Sequence, residues 1–340
     1  MISQPAVWFP TIRTGTGTDI FTERLVSDLK EQGLRAEITW LPLHAEYAPW
    51  STKTPQPPSW ANICHINTWL HSSLVPKNLP IIATIHHSIH DPALLQYKGW
   101  LRANYHRHWI AENEKRIMQQ AREVTAVSDF VARMAKQTLC DVPMNVIYNG
   151  VDTKLFHPPT DRKTRTPFRL LYIGSWISRK GVEVLTPIMK QLGNEFELYY
   201  TGPRLLPIDE KIQSKNMHNI GRLNGEIAIT KSMHNADAFI FPSRSEGFGL
   251  VAAEAMACGL PVIATRGSSI PEIINDGENG ILCSQDNIQE FAAAARKLAH
   301  NSEFYSQISI AARQRIESHF TSDQMVSSYV KAYKKILNII

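Results

Sequence analysis

The chain has 340 residues, 43% of them apolar and 20% charged, with a net charge of +5. That length is more than one compact core needs, so two domains are expected, and the composition excludes a disordered or low-complexity chain. The charge is evenly spread, with 15 Lys/Arg against 13 Asp/Glu in residues 1–160 and 21 against 18 in the rest, which suits anionic small molecules and argues against nucleic acid.

Short runs of Val, Ile, Leu and aromatics alternate with amphipathic stretches, the pattern of βα units on parallel sheets. In the first half, strands are predicted at Ala6–Pro10, Ala36–Leu43, Asn62–Asn67, Ile81–His86, Val124–Val127 and Asn145–Tyr148. A helix is predicted over Thr18–Gln32, closed by Gly33, and the Pro-rich residues 48–58 read as a surface loop. Residues 97–116 set Leu101, Tyr105 and Trp109 at i, i+4 and i+8 with Lys98, Arg102 and Arg107 nearby. This segment reads as a helix with its aromatic stripe in the core, or as a face for an acceptor or a membrane surface. His86 and His90 are four apart, a metal-binding spacing on a helix, but His86 closes a strand and Pro92 follows, so no metal site is expected.

Residues 152–167, rich in Pro and basic residues, read as a linker between domains 1–151 and 168–320. Beyond it, strands are predicted at Arg169–Ile173, Glu197–Thr201, Ala238–Phe241 and Pro261–Ala264, with helices at Val182–Leu192 and Gly249–Ala257. The last segment, 321–340, contains an amphipathic helix from Ser322 to Leu337 and is expected to pack back on the first domain. The fold class is therefore α/β, with two Rossmann-like doubly wound domains facing across a cleft and ligands bound beyond the carboxyl ends of the strands.

The chemistry concentrates at "SRSEGFGLVAAEAMACGLPVIATRGS", residues 243–268. Gly247 and Gly249 fall in the turn after a strand, where backbone can approach a ligand, and the next helix N-terminus offers N–H groups to an anion. Eight helical residues rise about 12 Å, too far for Glu246 and Glu254 to act as an acid/base pair on one bond. Such a spacing suits one elongated ligand held at two points, with a phosphate between them. Glu254 is taken as an exposed helix position. A second phosphate-type element lies in "LLYIGSWISRKGVEVL", residues 170–185, where Arg179 and Lys180 stand ready to neutralise a diphosphate leaving group without a metal.

Ser243-x-x-Glu246-Gly-Phe-Gly-x4-Glu254-Ala-Met-Ala-x-Gly-x-Pro closely resembles the Glu-x7-Glu signature of the retaining glycosyltransferases of family 4, which have the GT-B fold. "ATIHHS" at 83–88, "TAVSDFVARMAKQ" at 125–137 and "VIYNGVDTKLFHP" at 146–158 extend the resemblance over most of the chain. It implies that Glu254 holds the donor ribose and that Glu246 lies by the donor sugar. Gly247, Phe248, Gly249 and Leu250 would line the sugar and phosphates, Arg179 and Lys180 would bind the diphosphate, and His86 would lie against the sugar. Gly15 and Gly17 resemble the family's glycine loop near the donor phosphates. Arg222, in "NIGRLNGEI", lies in the segment expected to choose the base. Two departures from the pattern are Ser175, where many members have Arg, and Gly-Thr-Gly in place of a Gly-Gly pair.

The expected reaction is transfer of a sugar, with retention, from a nucleotide-diphosphate sugar to a glycan or lipid-linked acceptor in cell-surface polysaccharide or lipopolysaccharide synthesis. It needs no cofactor. A nucleotide-sugar isomerase or hydrolase on the same fold is the alternative, separated by acceptor dependence, and a non-catalytic nucleotide-sugar-binding subunit is disfavoured by the intact Glu246, Glu254, Lys180 and His86. A nicotinamide dehydrogenase is disfavoured because no Gly-x-Gly-x-x-Gly follows the first strand. Scattered Cys64, Cys140, Cys258 and Cys283 read as buried thiols in a reducing compartment. With no leader or spanning stretch in view, a cytoplasmic location is expected, with peripheral contact at the inner face of the membrane.

Overall fold

The computed structural model describes residues 4–161, 164–203 and 214–339. Residues 162–163 of the expected linker and Ile340 of the C-terminal segment lie outside these. The chain divides into two compact units, Met1–Gly150 with Ser322–Ile340, and Val151–Thr321.

The first unit is built on strands β1 (Ala6–Ile12), β2 (Arg35–Leu41), β3 (Ile63–Asn67), β4 (Ile81–Ile85), β5 (Glu123–Ala126) and β6 (Asn145–Val146). They form a parallel sheet in the order β2-β1-β3-β4-β5-β6. Strand order reverses at β1 and β3, the point where such sheets hold ligands at their carboxyl edge. Helix α1 (Gly17–Glu31) follows β1; α2 (Trp100–Tyr105), α3 (Ala111–Gln120) and α4 (Asp129–Thr138) come later.

The second unit repeats the plan with β7 (Phe168–Tyr172), β8 (Phe196–Tyr200), β9 (Met217–Asn219), β10 (Ala238–Phe241), β11 (Val262–Thr265) and β12 (Ile281–Cys283), in the parallel order β12-β11-β10-β7-β8-β9. Every residue of β10 and β11 is buried, as expected of strands covered on both faces by helices. Among its helices are α5 (Leu185–Leu192), α6 (Glu226–His234), α7 (Leu250–Ala257), α8 (Ile270–Ile273), α9 (Ile288–His300) and α10 (Ser302–His319). Here the sheet reverses at β7 and β10.

The final helix, α11 (Ser322–Ile336), buries Met325, Val326, Tyr329 and Tyr333 in a cluster with Val7, Phe21 and Leu25 of the first unit. Polar groups fix it there: Tyr333 Oη lies 2.8 Å from His65 Nδ1, and His65 Nε2 lies 2.7 Å from Thr84 Oγ1. Burial pushes the His65 imidazole down to about 3, so it stays neutral.

Several expectations need correction. The start of segment 152–167 is not a free linker, because Phe156 is fully buried and Arg313 donates to the carbonyls of Phe156 and Thr153. Val182–Leu192 is not one helix: Val182–Val184 forms a 3-10 turn before α5. The 97–116 stripe is not core, since Leu101 is 76% exposed, Tyr105 and Trp109 are only half-buried, and residues His106–Ile110 form a π-helical segment that breaks the i, i+4 spacing. Cys64, Cys258 and Cys283 are buried, whereas Cys140 is only half-buried.

Candidate active site

The carboxyl ends of β7 and β10, neighbours at the switch point of the second sheet, carry the two loops that the sequence singles out. They are laced together by backbone. Gly181 has φ +66°, and a Cβ there would come within 2.1 Å of the Pro242 carbonyl oxygen, so only glycine lets the loops touch. Arg244 N–H donates to Arg179 O at 3.0 Å, and Arg179 Nη1 donates to Ser245 O at 2.6 Å. The Arg244 guanidinium, a residue sequence reasoning passed over, pairs with Asp286 at 2.9 Å and Glu183 at 3.1 Å and donates to Ser178 O at 2.5 Å. It thus pins the Ser178–Lys180 turn from both sides.

Within this frame Lys180 and Glu246 meet, Nζ to Oε1, at 2.5 Å, and Ser243 Oγ donates to the same oxygen at 2.5 Å. The Glu246 side chain is 9% exposed and that of Lys180 14%, and the ammonium lies 5.6 Å from the Phe241 ring centroid. Burial pulls the Lys180 ammonium below its ordinary range, assisted by Arg179 and opposed by Glu246. Burial would raise the Glu246 carboxyl, but the charges of Lys180 and Arg179 and the hydrogen bonds from Lys180 and Ser243 outweigh it and hold it below the usual value. Glu246 is therefore an ionised carboxylate with one oxygen doubly held. Its backbone is fixed as well: its N–H donates to Ser268 Oγ at 3.0 Å, and its carbonyl accepts from Ser269 Oγ at 3.1 Å.

Gly247 and Phe248 are buried, with Phe248 edge-on to Phe320. Gly249, with φ +92°, caps α7, which begins at Leu250, one residue after the predicted start at Gly249. A Cβ on Gly249 would come within 2.6 Å of Ile270 Cδ1. Helix α7 is apolar on every side, and Glu254, its one charged residue, is 4% exposed; the exposed position expected from the sequence is wrong. Leu250 is half-buried. Arg222 is exposed in the loop after β9, between Gly221 and Gly225, both with positive φ. Ser175 contributes its carbonyl, which accepts from Tyr172 Oη at 3.0 Å.

In the first unit, the glycine loop after β1 is organised by Asp19, which the sequence reading did not flag. Its carboxylate accepts from the N–H groups of Thr14 (3.0 Å) and Gly15 (2.7 Å) and from Thr14 Oγ1 (2.9 Å). The Gly15 N–H is thus already engaged, while Gly17 opens α1. Gly15 has φ +71° and open space around it.

His86 follows β4. Its Nε2 lies 2.8 Å from Asn67 Oδ1, and the Phe21 ring meets it edge-on at 4.5 Å. Burial pushes its pKa down to about 3, so the ring is neutral. His90 is paired with Glu114 at 2.7 Å, and Glu114 also accepts from Thr68 Oγ1 at 2.7 Å. Among the described residues, no three His, Cys, Asp or Glu side chains come together as a metal-binding group.

The chain matches two adjoining family profiles, "Glycosyltransferase Family 4" over residues 58–155 and "Glycosyl transferases group 1" over residues 156–315. It is a GT-B glycosyltransferase of the group 1, family 4 type. Among its relatives, this glycosyltransferase is 27% identical over 261 residues to an uncharacterized glycosyltransferase of Methanocaldococcus jannaschii, 76% of this chain and 69% of that one. It is 28% identical over 295 residues to the MMP alpha-(1->4)-mannosyltransferase of Mycolicibacterium hassiacum, 81% and 71% of the two chains. In fold it is similar to the sucrose-phosphate synthase of Thermosynechococcus elongatus, with TM-score 0.80 at 18% identity, covering 99% of this chain and all of the other.

Proposed function

We propose that this glycosyltransferase retains configuration and works without a metal, moving a sugar from a nucleotide-diphosphate sugar to a glycan or lipid-linked acceptor. The largely buried Lys180–Glu246 pair at the switch point of the second sheet carries this reading. Glu246 would accept from the sugar hydroxyls, Glu254 would hold the ribose, and the backbone from Gly247 to Leu250 would meet the phosphates. Arg179 and Lys180 would supply the positive charge that the departing diphosphate needs. His86 would contact the sugar, Gly15 and Gly17 would border the phosphates, and Arg222 would face the base.

A carboxylate whose Oε1 already takes bonds from Lys180 and Ser243 is a poor nucleophile, which favours direct same-face substitution over double displacement. The acceptor oxygen bonds to the anomeric carbon as the bond from that carbon to phosphate breaks, and the acceptor's proton passes to the released phosphate oxygen.

A lipid-linked acceptor, cell-surface polysaccharide or lipopolysaccharide synthesis and cytoplasmic work at the inner membrane face form the rest of the reading. Its support is the exposed set Trp50, Trp100 and Leu101 beside Arg102 and Arg107, with Trp50 edge-on to Trp109 and Trp109 Nε1 donating to Glu46 O.

A thermal-shift panel of UDP, GDP, ADP, TDP and CMP, each with magnesium and with EDTA, tests the donor side. A ligand at 100 times its dissociation constant adds about 2.7 kcal/mol of stability. One nucleoside diphosphate standing out in EDTA is expected; stabilisation that needs magnesium overturns the metal-free reading. Turnover of the matching sugar nucleotide, followed by NMR of the anomeric proton, then separates transfer with retention from acceptor-independent hydrolysis or isomerisation.

A further inference from the structure

The carboxyl edge of the first sheet holds His86 through two side chains, Thr11 and Asn67, that the roles above do not use. Thr11 of β1, Asn67 of β3 and His86 just after β4 come from successive strands of the order β1-β3-β4. Asn67 Nδ2 donates to Thr11 Oγ1 at 2.8 Å, which turns Asn67 Oδ1 toward His86 Nε2, also at 2.8 Å. Thr11 is 4% and Asn67 5% exposed, so water cannot readily replace either bond.

A neutral imidazole has one N–H and one lone pair. Facing a carbonyl oxygen, Nε2 must carry the proton. That leaves Nδ1 of this half-buried ring with the lone pair, and the one hydrogen bond the ring makes among the described residues is at Nε2. Phe21, edge-on at 69°, restricts the ring plane.

We propose that Asn67 is a positioning residue that fixes His86 as the Nε2–H tautomer, so that Nδ1 accepts a hydrogen bond from a hydroxyl of the donor sugar. The polarity is the substance of the inference. A fixed lone pair repels a carbonyl or phosphate oxygen and rewards an O–H, so the donor must present a free hydroxyl there, and a sugar deoxygenated or alkylated at that position is rejected. The hydroxyl contact rests on the proposed placement of His86 by the sugar; the tautomer does not.

The test is ¹⁵N NMR of the full chain labelled at histidine, with UDP, UDP-glucose and GDP-mannose as probes. In the free protein His86 is expected to show a protonated Nε2 and a bare Nδ1 at pH 7. A proton on Nδ1, or one averaged between the two nitrogens, overturns the proposal. On binding, a sugar nucleotide should move the Nδ1 signal and UDP should not; a bound sugar nucleotide that leaves it unmoved overturns the hydroxyl contact.

Asn67→Leu, close in size, should release the single tautomer and lower kcat by roughly tenfold, one hydrogen bond's worth. Nucleoside diphosphate affinity should stay unchanged. A single Nε2–H tautomer and full turnover in this variant would reject the role. Thr11→Val, isosteric and two bonds removed from His86, frees the Asn67 amide to turn over and should likewise mix the tautomers; an unmixed spectrum counts against the chain even if the Asn67 variant fails to fold. Absence of all nucleotide binding would refute the donor reading, while the free-protein spectrum still decides the tautomer.

Discussion

Lys180 and Glu246 form a largely buried ion pair whose partners lie 66 residues apart, joined at 2.5 Å and sharing Oε1 with Ser243. Removing one partner strands a charge in the interior. Lys180→Ala should therefore destabilise by about 3–5 kcal/mol, while Lys180→Ala with Glu246→Ala should cost clearly less than the two single variants summed. Urea unfolding of the four proteins gives the coupling directly, and additive losses would mean the pair is not a unit. Turnover should fall on the order of a hundredfold or more in Lys180→Ala, because the charge on the diphosphate grows toward the transition state.

Glu254 sits inside an otherwise apolar helix at 4% exposure, so alanine removes buried volume as well as charge. Glu254→Gln keeps the volume and isolates the carboxylate. The Gln variant should unfold near the wild-type midpoint yet bind its nucleoside diphosphate about 10- to 150-fold more weakly, the value of a hydrogen bond to a charged group. Titration calorimetry measures this. An unchanged dissociation constant would remove Glu254 from the ribose.

Much of the strand pattern was legible because buried parallel strands are continuous apolar runs, as at Ala238–Phe241, which the sequence bounds correctly. The short edge strands Met217–Asn219 and Ile281–Cys283 were not, since three residues carry no period. Glu254 was misjudged because burial of a carboxylate depends on what surrounds its helix. Asp19, Arg244 and Asn67 were missed for a related reason. Each acts by a contact that local spacing does not encode: Arg244 reaches Asp286 across 42 residues and Asn67 reaches Thr11 across 56. Even Asp19, only four residues from Gly15, reads as an ordinary helix-start acid until the loop closes over it.

Gly181 offers a test of the loop junction. An alanine there meets the Pro242 carbonyl and must also hold φ near +66°, so both the backbone and the neighbouring loop have to move. Gly181→Ala should lose more stability than Gly15→Ala, where φ is +71° but nothing lies within 4 Å. Strain alone is worth about 1–3 kcal/mol, and the clash adds to it at Gly181. Thermal melting compares the two. Equal losses would show that the loops do not rest on each other through this glycine.

Acid should weaken the fold through its neutral histidines before it reaches its carboxylates. Burial holds His65 and His86 at about 3 in the folded chain, against about 6.5 unfolded. Between those values the unfolded chain binds more protons, so stability rises with pH, is complete above about 6.5 and is lost as pH falls toward 3. Each such histidine contributes a slope of up to about 1.4 kcal/mol per pH unit, or about 2.7 for the pair. Glu246, held below its usual range, adds stability that is lost only as pH falls below the ordinary glutamate value; between pH 5 and 6.5 His106, lowered to about 4 by burial, adds to the histidine slope, and Glu46 and Asp237, raised by burial, oppose it. Urea midpoints from pH 7 to 5 should fall accordingly. His65→Asn, whatever its absolute stability, should flatten the slope by up to about 1.4 kcal/mol per unit; an unchanged slope would mean that His65 is already protonated in the fold and that its bonds to Tyr333 and Thr84 are those of an imidazolium.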